Sequence, residues 1–482
     1  MKSGGFRGVW LAVALVALVP ILGHVARHRS LPPLYSGEGF AAFYCAGEAL
    51  RERRDPYALE PLRSCEARTH AVPAGVAEPA PLPPATLGAF ALLAGLPFRT
   101  ASLVWALVLV AALVATGRGL VTLAPRVPPV AIWTALLPGL GFLNGFYGET
   151  PALVAAALVW AGVALRRERT FGAVAGVTLA ALFEPHVGGA AWLALVLFVP
   201  RLRAPLLICA AALAVASVAL TGFGTALAYL AEVLPAHARS ELGARDQDSL
   251  TSLLFQAGVP PAAALRFGAL SYLAALALGC GFAPAAARRF RAPELLVFLP
   301  AAAVLVGGAF VHDLQMGLAL PLAVVAAGHT GRRARPFAYL GLLAGAVPEP
   351  WTGLPVLAFG AAAAFAAAWS AGAASGATGW PRSRAARGVI GTIAFALFAL
   401  AVHATGTAGP APVAAWSGIR VAPSFGAESN WTNYVWTVSY RTTLGDGLAK
   451  FGQAAVLLAI FAAAFGARRA VPAADSNQRR AG

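Results

Sequence analysis

The sequence predicts an all-α, polytopic transmembrane protein with about 12–14 spans. Three observations predict it. Of 482 residues, 59% are hydrophobic and only 12% charged, against about 25% charged in an ordinary soluble domain. Mean hydropathy is +0.71. The uncharged runs recur along the whole chain, and arginines punctuate alternate gaps between them. So few charges cannot clothe a soluble core of this size, which excludes a soluble enzyme, a disordered regulator and a small disulfide scaffold.

The elements follow in order. Residues 1–26 carry a basic start and an apolar run over 8–26. That run is long for a signal peptide and has no clean small-residue cleavage site, so it reads as a retained first helix. Residues 27–99 form a first outer loop. Within it Phe40, Phe43, Tyr44, Gly47 and Leu50 recur at helical spacing, predicting a short amphipathic helix on the membrane surface. The uncharged stretch Pro79–Phe98 carries five prolines and reads as an interfacial or re-entrant segment. Residues 100–222 supply a transmembrane core, with runs over 100–117, 128–147, 149–165, 170–183, 187–200 and 204–222. A second outer loop covers 223–265. Residues 266–406 hold further runs over 266–287, 293–311, 314–331, 336–348, 352–372 and 388–406. A third outer loop, 407–447, contains ESNWTNYVWTVSYRTT, either a sugar or head-group surface or an interfacial aromatic belt. Residues 448–482 give a last span over 448–467 and a cytoplasmic tail. There is no convincing internal repeat.

With both termini cytoplasmic, these spans put every arginine cluster inside: Arg118 and Arg126, Arg166–Arg169, Arg201 and Arg203, Arg288–Arg291, Arg332–Arg335, Arg382–Arg387, and Arg468–Arg469. This agrees with the positive-inside rule and accounts for the net charge of +16 without nucleic acid. No basic stretch interleaves with base-stacking aromatics. Cys209 and Cys280 lie in apolar runs. Cys45 and Cys65 share the first outer loop and are able to pair if that loop lies outside the cytoplasm.

Ionisable residues gather at the outer ends of the spans. Glu38 precedes the predicted amphipathic helix, Asn144 and Glu149 lie in NGFYGET, Glu184 and His186 in FEPH, and His312 and Asp313 in FVHDLQ. Arg245 and Gln247 lie in the second outer loop. Each alone is readily a solvated interfacial group; together they point to a polar site opening outward. A carboxylate such as Glu38 suits a general base toward a hydroxyl, and histidine or arginine suits a departing phosphate. There is no phosphate-binding glycine loop, zinc-type histidine pair or nucleophile elbow. No cytoplasmic turn offers a nucleotide site, so the substrate must arrive already activated, as a lipid phosphate does.

GEGFAAFYCAGEALRERRDPY, over Gly37–Tyr57, resembles the first outer loop of glycosyltransferase family 87, within the polytopic C-type glycosyltransferase superfamily. Phe40, Tyr44, Ala46 and Asp55-Pro56-Tyr57 carry the likeness. So do Pro83-Pro84 with Leu96-Pro97, DQDSLTSLL and VHDLQMGLALP, over about residues 30–330. The family's first-loop Asp falls on Gly39, with Glu38 one residue earlier as the substitute. Glu184 stands where a lysine is usual, and NGFYGET where a Gly-Gln pair is usual.

The resemblance implies a polyprenyl-phosphate-sugar-dependent hexosyltransferase of the bacterial inner membrane. It would move a hexose such as mannose to a lipid or envelope-glycan acceptor at the outer face, with no metal or other cofactor required and no nucleic-acid partner. Glu38 is the expected catalytic base. Tyr44, Glu149, His186, Arg245, Gln247, His312 and Asp313 are the expected substrate-binding residues. A lipid or small-solute transporter, and an inactive relative acting in envelope assembly, are the alternative readings.

Overall fold

The computed structural model describes residues 37–72, 77–242, 247–308, 310–331, 334–346, 456–462 and 464–465. Within these the chain is helical, with one isolated bridge between Gln247 and His312 and no strand. The runs over 8–26, 352–372 and 388–406, the third outer loop and most of 448–467 lie outside the described residues, as does Arg245.

The outer segment builds α1 (Glu38–Arg51), α2 (Leu59–Thr69) and α3 (Pro84–Leu93). Next come α4 (Phe98–Leu123), α5 (Pro129–Tyr147), α6 (Pro151–Arg166), α7 (Thr170–Phe183) and α8 (Pro185–Phe198). The remainder is α9 (Pro200–Ser240), α10 (Leu250–Gln256), α11 (Pro261–Phe290), α12 (Leu295–Ala303), α13 (Leu320–His329) and α14 (Arg335–Ala346). Proline opens α3, α5, α6, α8, α9 and α11. Its fixed φ suits the first helical turn, where its missing N–H has no partner to lose.

Four of these helices, α4, α5, α9 and α11, are long and apolar enough to cross a membrane. They coincide with runs at 100–117, 128–147, 204–222 and 266–287. The apolar α6, α7 and α8 are 16, 14 and 14 residues long, about 21–24 Å against a hydrocarbon core of ~30 Å. The ten-residue α3 reaches only about 15 Å. The run at 293–311 also falls short, since α12 stops at Ala303.

Two expectations differ from the structure. First, α1 does not lie open on a lipid surface. Residues 39–47 are all buried. Phe40 packs against Phe90, Phe98 and Trp105, and a Cys45–Cys65 disulfide binds α1 to α2. The side opposite the aromatics is Ala41, Ala42, Cys45, Ala46 and Ala49, small residues that resist burial no more than exposure. Second, the helix expected to end at 222 breaks at Gly222 (φ 79°, ψ 159°), then continues through a π-helical stretch, Tyr229–Val233, to Ser240. With Leu250–Gln256 and the start of α11, most of the second outer loop is therefore helix.

The first-loop Asp-Pro-Tyr is structural. The Tyr57 N–H donates to Asp55 Oδ1 (2.9 Å), and the Tyr57 hydroxyl donates to the Leu82 carbonyl (2.8 Å), fastening the proline-flanked segment.

The core is dominated by α6, covered by α4, α7 and α12. Large apolar side chains stay exposed on α4 (Leu103, Leu107, Val110), α9 (Ile208, Val215, Phe223) and α11 (Phe267, Leu273, Leu278). Exposed apolar surface on this scale needs a bilayer to cover it. The two ends of α6 differ in chemistry. At its C-terminus Arg166 pairs with Glu294 and donates to the Leu123 carbonyl (2.8 Å). At its N-terminus, about 24 Å away, lie Glu149, Thr150 and the groups described next.

Candidate functional site

The site begins where α1 meets the turn after α5. The Gly37 N–H donates to the Phe146 carbonyl (3.1 Å), and Trp105 Nε1–H donates to the Gly148 carbonyl (2.7 Å). Together they hold the start of α1 against the turn that carries Glu149. Glu38 is half-buried at the head of α1, and burial pushes its carboxyl above the ordinary 4.5. Glu149 reaches across the turn so that its carboxylate occupies the space beside Gly39. A Cβ built on Gly39 would collide with Glu149 Oε1. The Glu149 carboxylate thus reaches the first turn of α1, the turn that Glu38 begins.

From Glu149 the polar groups continue through its neighbour. The Thr150 hydroxyl donates to Glu184 Oε1 (2.8 Å), and Gln315 Nε2 donates to Glu184 Oε2 (2.8 Å). Glu184 sits in the turn between α7 and α8, at the tip of a tight helical hairpin. Gly188 on one leg lies directly against the Ala180 backbone on the other, where a Cβ would clash. Burial raises the Glu184 carboxyl to about 7, opposed by the Thr150 bond, the nearby His312 and the Gln315 bond. His186 Nδ1 lies 3.7 Å from Glu184 Oε2, and the His186 carbonyl accepts from the Tyr272 hydroxyl (2.8 Å).

The far side is built by the Gln247–His312 bridge. The Val311 N–H donates to Gln247 Oε1 (2.7 Å), the Asp248 N–H to the Val311 carbonyl (2.6 Å), and the His312 N–H to Gln315 Oε1 (3.0 Å). Gln315 therefore joins His312 to Glu184. Asp313, buried, begins the short helical turn Asp313–Met316. His312 Nε2 is 3.3 Å from Glu241 Oε2, and His237 Nδ1 is 3.2 Å from Glu241 Oε1.

Of the residues singled out from the sequence, His186, Gln247 and His312 lie along these contacts, Glu149 and Asp313 adjoin them in sequence through Thr150 and His312, and Glu38 heads the helix turn that Glu149 reaches. Tyr44 faces away from it. Its hydroxyl donates to the Leu96 carbonyl (2.9 Å) and its ring packs edge-on to Phe98. Thr150, Gln315, His237 and Glu241 were not anticipated. The first two are single polar residues with no pattern to mark them. His237 and Glu241 do carry a signal, since they are four apart, the spacing of neighbours on a helix. The signal becomes visible once α9 is known to pass residue 222.

An apolar groove of about 610 Å³ runs between α7 and α9, lined by Phe171, Val174, Leu179, Leu182, Ile208 and Cys209 among others. Its lining on α7 runs from Thr170 to Leu182.

The protein families, curated proteins and solved structures compared with this chain include none that matches it.

Proposed function

We propose that the chain is a membrane glycosyltransferase that moves a hexose, such as mannose, from a polyprenyl-phosphate donor to a hydroxyl of a lipid or envelope-glycan acceptor at the extracytoplasmic face. Two observations support this reading: the carboxylates and histidines gathered around Glu184, and an apolar groove between α7 and α9 whose lining runs along α7 to Leu182. A substrate with a long apolar tail and a polar reactive head fits both halves. The tail lies along α7 and α9, and the head meets Glu184 and His186. The resemblance of the first outer loop to glycosyltransferase family 87 supplies the reaction class.

The reaction is a single displacement. The acceptor oxygen bonds to the anomeric carbon as the bond to the phosphate oxygen breaks. Glu38 takes the acceptor proton, and polyprenyl phosphate leaves. His312 or Arg245 accompanies the departing phosphate, and His186 orients the head group. The Cys45–Cys65 disulfide supports placing the first loop in an oxidising compartment outside the cytoplasm. The arginine-rich opposite end of α6 agrees with that sidedness, as expected of a bacterial inner-membrane enzyme with cytoplasmic termini.

The test is transfer from radiolabelled polyprenyl-phosphate mannose to an envelope extract, by protein in lipid nanodiscs. Glu38→Gln is expected to lower the rate by about 10²–10⁴-fold, the usual contribution of a general base. For the wild type the rate should rise with pH through an acid limb lying above 4.5, because burial raises Glu38 and the base acts ionised. Full activity in Glu38→Gln rejects Glu38 as the base. One observation favours the alternative of a transporter: α7 and α8 are both short for a span and flank the ionisable Glu184 and His186. Substrate uptake into vesicles without covalent transfer would establish that reading instead.

A further inference from the structure

We propose that His237, Glu241 and His312 form a binding site for a single divalent transition-metal ion, with zinc as the ion that fits best. Their ligand atoms all lie within 4.8 Å of one another. The two separations to the carboxylate are 3.2 and 3.3 Å. Zinc bonds of about 2.0–2.1 Å in tetrahedral geometry place neighbouring ligand atoms about 3.3 Å apart. Each histidine thus stands at that spacing from one of the two Glu241 oxygens, and a small closing movement within the 4.8 Å span of the cluster would bring three donors onto one ion. Two imidazoles and one carboxylate are a donor set that zinc takes readily, leaving one position open.

The surrounding chain fixes all three ligands. His237 lies in the last turn of α9 and Glu241, four residues on, directly follows its end. His312 is held by its bridge to Gln247 and by its N–H bond to Gln315. His237 and Glu241 are 3% and 2% exposed. The ion would be reached from the His312 side, where the side chain is 19% exposed. The open position there suits water or an oxygen of an anionic substrate. The inference stands apart from sugar transfer, because the cluster pins the end of α9 to residue 312 whatever reaction the site performs.

The test is direct metal binding to the full chain in lipid nanodiscs, after stripping with a chelator. The expected result is one equivalent of Zn²⁺ per chain, with a raised unfolding temperature on loading. Co²⁺ in its place should show the intense visible absorption of a tetrahedral ion. Glu241→Gln and His312→Gln should each weaken binding by about a hundredfold or more, as loss of one of three protein ligands exceeds the 10–100-fold usual for outer-shell partners. His70→Gln, at an exposed histidine, should leave it unchanged. Two results overturn the proposal: a folded, stripped wild type that takes up neither ion, or uptake that survives both ligand substitutions. Either would leave the cluster as a hydrogen-bonded His–Glu–His set.

Discussion

Glu149 lies where a side chain at position 39 would go, and the geometry of the site's first turn depends on that exchange. Gly39→Ala is expected to push the Glu149 carboxylate out and to lower transfer at least about tenfold, a loss of ~1.4 kcal/mol of transition-state stabilisation. The nanodisc transfer assay and a melting curve check it together, because a purely structural effect would lower the melt in step with activity. Glu66 makes a separate prediction in the outer segment. It is fully buried, accepts one hydrogen bond from the Glu78 N–H (2.7 Å), and burial raises its carboxyl well above 4.5. A carboxyl raised on folding favours the folded state fully below its unfolded pKa, and that contribution disappears as pH rises through the folded value. Glu66→Gln keeps the acceptor and removes the ionisation. It should therefore unfold at a higher temperature than wild type above neutral pH, with the gap closing as pH falls toward 4.5. Thermal melts across that range decide it. At this scale the sequence shows which residues are ionisable and that they cluster at the ends of apolar runs. It could not show Glu149 entering the space of Gly39, because that contact joins two segments over a hundred residues apart.

Among the elements, α1 shows how periodicity misleads when one face is built of alanine. Phe40, Phe43 and Tyr44 mark a helix, but a small-residue face is equally at home in water, lipid or protein. Only the partners decide, here α2 through the disulfide and α3 through close backbone approach. Replacing Cys45 and Cys65 by serine opens a loop whose ends are 20 residues apart. That should cost about 3 kcal/mol of stability, visible as an earlier melt and faster proteolysis between α1 and α2. The long helices were legible because hydropathy and length both marked them. The end of α9 was not, because His237, Arg239 and Glu241 dilute its hydropathy while leaving its backbone free to stay helical.

For the whole molecule, the alternation of arginines predicts a sidedness that labelling can read. In a background with Cys209 and Cys280 replaced by alanine, a cysteine at exposed Glu52 should react with a membrane-impermeant thiol reagent in intact cells. A cysteine at exposed Arg291 should react only after permeabilisation. The reverse pattern would invert the topology and move the acid and histidine groups to the cytoplasmic side. Charge placement in gaps can be read without contact information, and the labelling pattern is what tests it. The number of crossings was less legible, since α6, α7 and α8 have the composition of spans but only about two-thirds to four-fifths of the required length.

The Arg166–Glu294 pair has a consequence for how the chain is made. Its partners are 128 residues apart, and Arg166 Nε donates to Glu294 Oε2 at 3.1 Å while Glu294 is wholly enclosed. When α4 to α8 leave the translocation machinery, Arg166 has no acidic partner yet synthesised, and the polar end of α6 must wait at the membrane surface. Closure comes only after α11 has been inserted and residue 294 has followed it. Biogenesis of this protein therefore passes through a half-built bundle, and truncated chains ending before residue 294 should be recognised and degraded by membrane quality control.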